Sequence, residues 1–193
     1  HKGKFPKGTT KIHESIAYSD FALKRFFETA SKQDWYKNTL FVVVADHTSA
    51  EPTEAKFKTN VGKFRIPILF FDPSNPEMAG KNMKNLQQID VMPSVIDYLN
   101  IDTKMISYGK SYQSEKDFVV YYLDNIYHYI SGDFYLAFDG KKSLGLYNFK
   151  NDELLKTNLI KTEKAKAIEM EGFIKAYIQS FNERLIGNKL TIQ

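Results

Sequence analysis

Asp46 and His47 are the residues whose types and position best fit a chemical role. They are adjacent, and they directly follow an apolar run rich in β-branched residues at positions 39–45. If the chain turns after a buried strand, both side chains can converge on one ion, and Mn²⁺, Mg²⁺ or Zn²⁺ accepts a carboxylate oxygen and an imidazole nitrogen. The structural alternative, which the spacing alone favours, makes Asp46 the cap of a turn and His47 a partly buried imidazole.

Other polar residues offer weaker candidates for a site. His13 and His128 are isolated, and His128 lies among tyrosines, so we interpret both as hydrogen-bonded core or surface groups. Arg65 precedes an apolar run and either reaches an anionic substrate or forms a structural ion pair. The loop after His47 also contains three lysines that either attract a phosphorylated headgroup or are simply solvated: Lys56, Lys58 and Lys63.

Composition limits the classes of protein that this chain can belong to. Its 193 residues, 42% hydrophobic and 26% charged, suffice for one domain with a full core. The net charge of +4 comes from lysines spread along the chain, which argues against a nucleic-acid partner. The absence of cysteine excludes thiol catalysis, zinc–cysteine sites and disulfides. No apolar stretch approaches the roughly 18 residues that a membrane span needs.

The first half of the chain has the patterns of an α/β sheet. Apolar residues at helical spacing predict an amphipathic helix from Ile12 to about Ser31, packed on a sheet. The run at 39–45 predicts a strand buried on both faces of a parallel sheet, and residues 66–71 predict a second buried strand. A short helix is expected over residues 90–100, with Pro93 in its first turn.

The second half predicts antiparallel strands and a long helix. Short aromatic-rich runs occur at residues 118–123, 126–130, 134–138 and 144–149. Asp139-Gly140 is a hairpin signal between the last two runs. A final helix is expected from about Thr162 to Leu185, and its apolar face comprises Ala165, Ile168, Phe173, Ile174, Tyr177, Ile178, Phe181 and Leu185.

Several segments, in order, resemble one family. Residues 35–48, WYKNTLFVVVADHT, with Tyr18-Ser19-Asp20 before them, are similar to the second metal-binding motif of the sulfatase-like branch of the alkaline phosphatase superfamily. The similarity is closest to lipoteichoic acid synthase and phosphoethanolamine transferase type members. Further segments that resemble the family are 64–73 (FRIPILFFDP), 89–99 (IDVMPSVIDYL), 146–149 (LYNF), Asp152 and Asn158-Leu159.

The resemblance implies roles for the adjacent acid and imidazole. Asp46 and His47 match the family's Asp-His pair and are expected to bind a divalent metal ion, one of Mn²⁺, Zn²⁺, Mg²⁺ or Ca²⁺. True sulfatases more often have Asp-Asn at these positions, so His47 favours phospho-transfer or phosphodiester chemistry. The family's Thr or Ser nucleophile and a further acidic ligand lie well upstream of this motif. No catalytic residue and no organic cofactor are therefore assigned within this chain.

The resemblance also implies a fold and a domain organisation. We expect an α/β fold with the sulfatase-like sheet of the alkaline phosphatase superfamily and flanking helices, followed by a small antiparallel sheet and a C-terminal helix. Residues 1–105 are expected to form the C-terminal part of the α/β core that carries the Asp-His motif. Residues 106–193 are expected to add the small sheet and the terminal helix of the same domain.

The expected function is that of a C-terminal fragment of a metal-dependent enzyme. The favoured reaction transfers a phospho-headgroup, of phosphoglycerol or phosphoethanolamine type, and the isolated chain is expected to be inactive. The alternatives are sulfate-ester hydrolysis and a catalytically silent interaction domain. The first residue is His1 rather than Met, and the expected parent has the missing N-terminal half and membrane helices. It would act on lipid-headgroup or ester substrates at the outer face of the bacterial cytoplasmic membrane or in the periplasm.

Overall fold

The computed structural model describes residues 3–10, 12–50 and 52–192, so His1 lies outside the described residues. The helices are α1 (His13–Ala30), α2 (Val91–Tyr98) and α3 (Lys164–Ile186). The strands are β1 (Phe41–Val44), β2 (Ile68–Phe71), β3 (Phe118–Leu123), β4 (Ile126–Ser131), β5 (Phe134–Phe138) and β6 (Ser143–Asn148). Within the described ranges, no helix has the length and apolar character needed to cross a bilayer.

One compact unit comprises residues 1–43 and 69–80. It contains α1 and most of β1 and β2, which pair as a two-stranded sheet. The helix packs on this sheet as expected, since the Phe27 ring lies 5.2 Å from the Phe41 ring and 5.8 Å from the Phe71 ring. Edge-to-face aromatic contacts of this kind add to the free energy gained from burial.

The prediction that β1 is buried on both faces is wrong. Its first three residues are only half-buried and Val44 is exposed. The apolar face of α1 is also more exposed than expected, with Ile16 at 55% and Phe26 at 49%. The physical reason is that β1 pairs with only one strand in the described residues. A strand whose composition suits the interior of a sheet therefore leaves part of its apolar surface exposed.

The second compact unit comprises residues 44–68 and 81–193. Its centre is a four-stranded antiparallel sheet in the order β3-β4-β5-β6, as the sequence predicts. The terminal helix α3 covers one face of this sheet. The core that results contains Tyr129, Leu136, Phe138, Leu146, Ala167, Met170 and Ile174.

The face of α3 that packs on the sheet differs in part from the expected one. Ala167, Met170 and Ile174 are buried, whereas Ile168 is 73% exposed and Leu185 is also exposed. The sheet contacts a limited arc of the helix, so apolar residues beyond that arc remain in solvent. The amphipathic pattern therefore identified the helix but overestimated the width of its buried face.

A buried ion pair joins the start of α2 to the neighbouring loops. The Asp90 and Lys110 side chains are 2% and 4% exposed, and Lys110 Nζ lies 2.8 Å from Asp90 Oδ2. Lys110 Nζ also donates to the carbonyl oxygens of Asn85 and Phe118, both at 2.9 Å. All three ammonium protons have an acceptor, so the buried charge is fully compensated.

An aromatic row crosses the antiparallel sheet on the side of His128. The His128 ring stacks on Tyr121 with ring centres 4.6 Å apart, and its Nδ1 lies 2.7 Å from the Tyr135 hydroxyl. Tyr135 in turn stacks on Tyr147. His128 is buried, so of the two structural alternatives, a hydrogen-bonded core group or a surface group, it is the core group. Burial lowers the pKa of His128, and the charge of Lys63 acts in the same direction.

Replacing Lys110 with Met is expected to lower the free energy of unfolding by about 3–5 kcal/mol, because the Asp90 carboxylate would remain buried without its cation. Urea unfolding followed by circular dichroism measures this change. Lys104→Met, at an exposed lysine, is the matched control and should change stability by less than ~0.5 kcal/mol. Equal effects of the two substitutions would show that the buried pair does not stabilise the fold.

Acidification below the ordinary histidine pKa of 6.5 is expected to destabilise the protein through His128. Because the folded-state pKa is lowered, the unfolded chain binds the proton more readily, and stability present above pH 6.5 is lost as the pH falls. Urea unfolding at several pH values measures the slope, whose ceiling for one group is ~1.4 kcal/mol per pH unit. His128→Asn should flatten the slope more than His13→Asn does. An unchanged slope in His128→Asn would contradict the prediction.

Candidate metal site

Asp46 and His47 follow β1 after one intervening residue, Ala45, in the chain segment that leads away from the strand. Asp46 Oδ2 and His47 Nε2 are 3.7 Å apart, and the two side chains are 87% and 78% exposed. The structure therefore brings the two predicted ligands together at an accessible position. Neither side chain is enclosed in the apolar core.

The remaining polar atoms of the pair have partners that leave the ligand atoms free. Asp46 Oδ1 accepts a hydrogen bond of 2.8 Å from the His47 amide. His47 Nδ1 lies 2.7 Å from the Thr48 carbonyl oxygen. A carbonyl oxygen only accepts, so Nδ1 is the donor, and in the neutral imidazole Nε2 then presents its lone pair. This is the arrangement that metal-ligating histidines use to fix the tautomer.

The separation of the two free atoms fits a shared metal ion. Two ligands that each bind at about 2.1 Å with tetrahedral angles are about 3.4 Å apart. The observed 3.7 Å between Asp46 Oδ2 and His47 Nε2 requires only a small adjustment of exposed side chains. The described residues contain no group of three or more His, Asp or Glu side chains that could hold a metal ion. The pair thus fits a metal site as two of its ligands.

Thr48 supports the pair, although the sequence pattern assigns it no role. Its hydroxyl donates to the Lys63 carbonyl oxygen at 2.7 Å, which ties the residue after His47 to the far end of the loop. The Thr48 carbonyl that accepts from His47 is therefore held in place. Its position next to the Asp-His motif was the available signal, but its partner lies 15 residues away and no local pattern identifies it.

Gln88 also contacts the site and was missed by the sequence reasoning. Its side-chain Nε2 donates to the Ala45 carbonyl at 2.9 Å and to the Asp46 carbonyl at 3.1 Å. The residue is 42 positions from Asp46 along the chain. Nothing in the local composition around Gln88 indicates this contact.

Four of the other sequence candidates, His13, His128, Lys56 and Lys63, have structural partners. His13 Nδ1 accepts from the Thr9 amide at 3.0 Å, and His128 lies in the aromatic row. Lys56 Nζ pairs with Glu54 at 3.0 Å, and the ammonium of Lys63 lies over the Phe64 ring. Arg65 and Lys58 are exposed, and the structure assigns them no role at the pair.

The chain shows similarity to known proteins at the level of family and of fold. Residues 7–101 match the sulfatase family model. Lipoteichoic acid synthases of Staphylococcus aureus, for example those of strains USA300 and NCTC 8325, are 25% identical over 167 residues, which are 79% of this chain and 24% of each relative. The chain thus spans about a quarter of the length of the curated relatives that it matches.

Solved structures share the fold. A protein of the alkaline phosphatase superfamily from Vibrio parahaemolyticus superposes with a TM-score of 0.75 at 20% identity, over 100% of this chain and 47% of that chain. A Bacteroides thetaiotaomicron protein from a locus for glycosaminoglycan metabolism gives a TM-score of 0.64 at 16% identity, over 96% of this chain and 48% of its own. The predicted fold class is confirmed. The chain thus has the fold of the alkaline phosphatase superfamily protein on which it superposes, and its residues 7–101 match the sulfatase family model.

Proposed function

We propose that this chain is the metal-binding, C-terminal portion of an enzyme that transfers a phospho-headgroup, of phosphoglycerol or phosphoethanolamine type, from a lipid to an alcohol. The observation that carries the proposal is the exposed pair of free ligand atoms, Asp46 Oδ2 and His47 Nε2, 3.7 Å apart at the end of β1. The similarity to lipoteichoic acid synthases over 79% of the chain supports the choice of reaction.

In this proposal Asp46 and His47 act as ligands and do not transfer protons. Thr48 holds the proton on His47 Nδ1, so that Nε2 stays available. Together Asp46 and His47 would hold a divalent ion, which would supply Lewis acidity for a hydroxyl nucleophile and for the charge on the transferred group. The Thr or Ser nucleophile and a further acidic ligand are proposed to belong to the rest of the parent protein. Residues 1–105 supply the metal-bearing part and residues 106–193 the remainder of the same domain.

The proposed setting of the parent is the outer face of the bacterial cytoplasmic membrane or the periplasm, where lipid headgroups are accessible. Its proposed partners are a lipid-headgroup or ester substrate and the other half of its own domain. Sulfate-ester hydrolysis is the second candidate function, because residues 7–101 match the sulfatase family. Replacement of the sulfatase Asn by His47 favours the phospho-transfer alternative.

The ligand assignment can be tested on the chain itself with Mn²⁺, whose paramagnetism broadens NMR signals of nearby nuclei. MnCl₂ is expected to broaden the resonances of Asp46 and His47 at lower concentration than those of His13 and His128. Asp46→Asn should weaken this binding about tenfold or more, because one of the two ligand atoms is lost. Binding should remain weak even without substitution, since two protein ligands leave most of the coordination sphere to water. Broadening that is equal at all four residues would contradict the assignment.

The reaction can be tested in a longer protein that contains this chain and the remainder of the shared fold. Asp46→Asn and His47→Ala should each lower turnover by several decades, on the order of 10³ or more, because a lost ligand removes activation of the nucleophile and charge stabilisation. Turnover of a fluorescent phosphoglycerol lipid, compared with that of an aryl sulfate, separates the two candidate reactions. Circular dichroism is the folding control. Near-normal turnover in either folded variant would show that the pair has a structural role.

A further inference from the structure

Gln88 makes an unusual contact with the backbone of the candidate site. Its single amide nitrogen donates to two consecutive carbonyls, those of Ala45 at 2.9 Å and Asp46 at 3.1 Å. A side-chain amide has two N–H groups, so each carbonyl can receive its own proton. The two bonds therefore satisfy the donors of Gln88 and the acceptors on both sides of Asp46.

The position of these two carbonyls determines where the Asp46 side chain points. The Ala45 carbonyl belongs to the peptide plane before Asp46, and the Asp46 carbonyl belongs to the plane after it. Only the φ and ψ angles of Asp46 relate these two planes to each other. A donor that holds both planes thus restricts φ and ψ together, and with them the direction of the Asp46 Cα–Cβ bond. The second plane also carries the amide of His47, which donates to Asp46 Oδ1.

The backbone of Gln88 is linked to the buried Asp90–Lys110 ion pair. It begins a short 3₁₀ helix, Gln88–Asp90, whose ends are joined by reciprocal hydrogen bonds. The Gln87 amide donates to Asp90 Oδ2 at 3.0 Å, and the Asp90 amide donates to the Gln87 carbonyl at 2.9 Å. Asp90 is held in turn by the buried ammonium of Lys110 at 2.8 Å. The Gln88 backbone is therefore fixed by the buried ion pair, while its exposed side chain reaches the end of β1.

We infer that Gln88 is a positioning residue for the Asp46–His47 pair, holding the backbone of Asp46 so that both ligand atoms face one ion. The inference rests on the proposed function for its chemical purpose. The geometry of the positioning is independent of the proposed function, because the two hydrogen bonds of Gln88 define it. Gln88 does not contact the ion in this arrangement, because its donors are directed at carbonyl oxygens. Because Gln88 restricts the backbone of Asp46 in advance, less conformational entropy is lost when the metal binds.

Two substitutions separate positioning from a general electrostatic effect. Gln88→Met keeps the length of the side chain but removes both donors. Gln88→Glu keeps the shape, turns a carboxylate towards two carbonyl oxygens, and adds a negative charge near the site. If charge alone mattered, Gln88→Glu would tighten the binding of a divalent cation. If positioning matters, Gln88→Glu must weaken it, because the acceptor repels both carbonyls.

The experiment is an MnCl₂ titration of the chain by NMR, with Gln113→Met and Gln113→Glu as matched controls at an exposed glutamine. Gln88→Met is expected to weaken Mn²⁺ binding about tenfold, and Gln88→Glu at least as much, while the midpoint of thermal unfolding stays close to that of the unsubstituted chain. The Gln113 variants should bind like the unsubstituted chain. Tighter binding by Gln88→Glu, or unchanged binding by Gln88→Met, would overturn the inference.

Amide hydrogen exchange of residues 46–48 gives a second measurement that needs no metal. Exchange should accelerate severalfold in both Gln88 variants and stay unchanged in the Gln113 variants, because the segment loses its two anchoring bonds. Unchanged exchange would overturn the inference whatever the titration shows. Failure of the proposed function looks different: Asp46→Asn would then leave Mn²⁺ binding intact, while the exchange rates would still respond to Gln88.

Discussion

The buried pair of Asp90 and Lys110 is the interaction on which the arrangement around the candidate site depends. Two side chains that are at most 4% exposed bring together the segment before α2, the loop that contains Lys110 and the first strand of the antiparallel sheet, through the carbonyl of Phe118. Removing one ion of such a pair leaves the other buried and uncompensated. Separating these three segments would therefore carry a large cost in folding free energy. The close approach also explains Gly109, since a Cβ there would lie 2.3 Å from the Ile89 carbonyl oxygen.

From this anchor, hydrogen bonds extend to the surface where the proposed metal ligands Asp46 and His47 lie. The position of Asp90 determines that of Gln88 in the same 3₁₀ turn. The Gln88 side chain then reaches the carbonyls of Ala45 and Asp46. On the other side, Thr48 is tied to Lys63. The site is thus built from a buried ionic contact and polar bonds to backbone atoms, and apolar packing contributes little at the two ligands themselves. An exposed ligand pair can keep a defined geometry in this way, because its backbone is held even where its side chains are in water.

The sequence predicted well what depends on local pattern. The four antiparallel strands lie within one residue of their predicted bounds, because alternating aromatic and β-branched residues and the Asp139-Gly140 turn specify them locally. The adjacency of Asp46 and His47 did not by itself single them out as metal ligands; the family resemblance did, and their ligand role stays a prediction. The burial of β1 was predicted wrongly, because burial depends on how many strands and helices surround a strand and not on its own composition.

Contacts between distant segments could not be predicted in the same way. Gln88 and Asp46 are 42 residues apart, and Lys110 and Asp90 are 20 residues apart. A glutamine or a lysine in a polar segment has many possible partners, so its type carries almost no information about which one it finds. The segment 89–99 was recognised as a family motif, but the resemblance gave Asp90 no part in a buried ion pair. That role required coordinates.

If the proposed function holds, metal affinity and catalysis should be separable in this chain. Asp46 and His47 offer two ligand atoms in a nearly correct relation, and Thr48 and Gln88 reduce the freedom that binding would otherwise remove. Such an arrangement lowers the cost of binding without supplying more ligands, so affinity stays limited by the number of donors. Catalysis needs in addition a nucleophile held in line with the transferred group, and the pair provides none. Under the proposed function, the support around the two candidate ligands prepares one side of a site whose other side would supply the reacting hydroxyl.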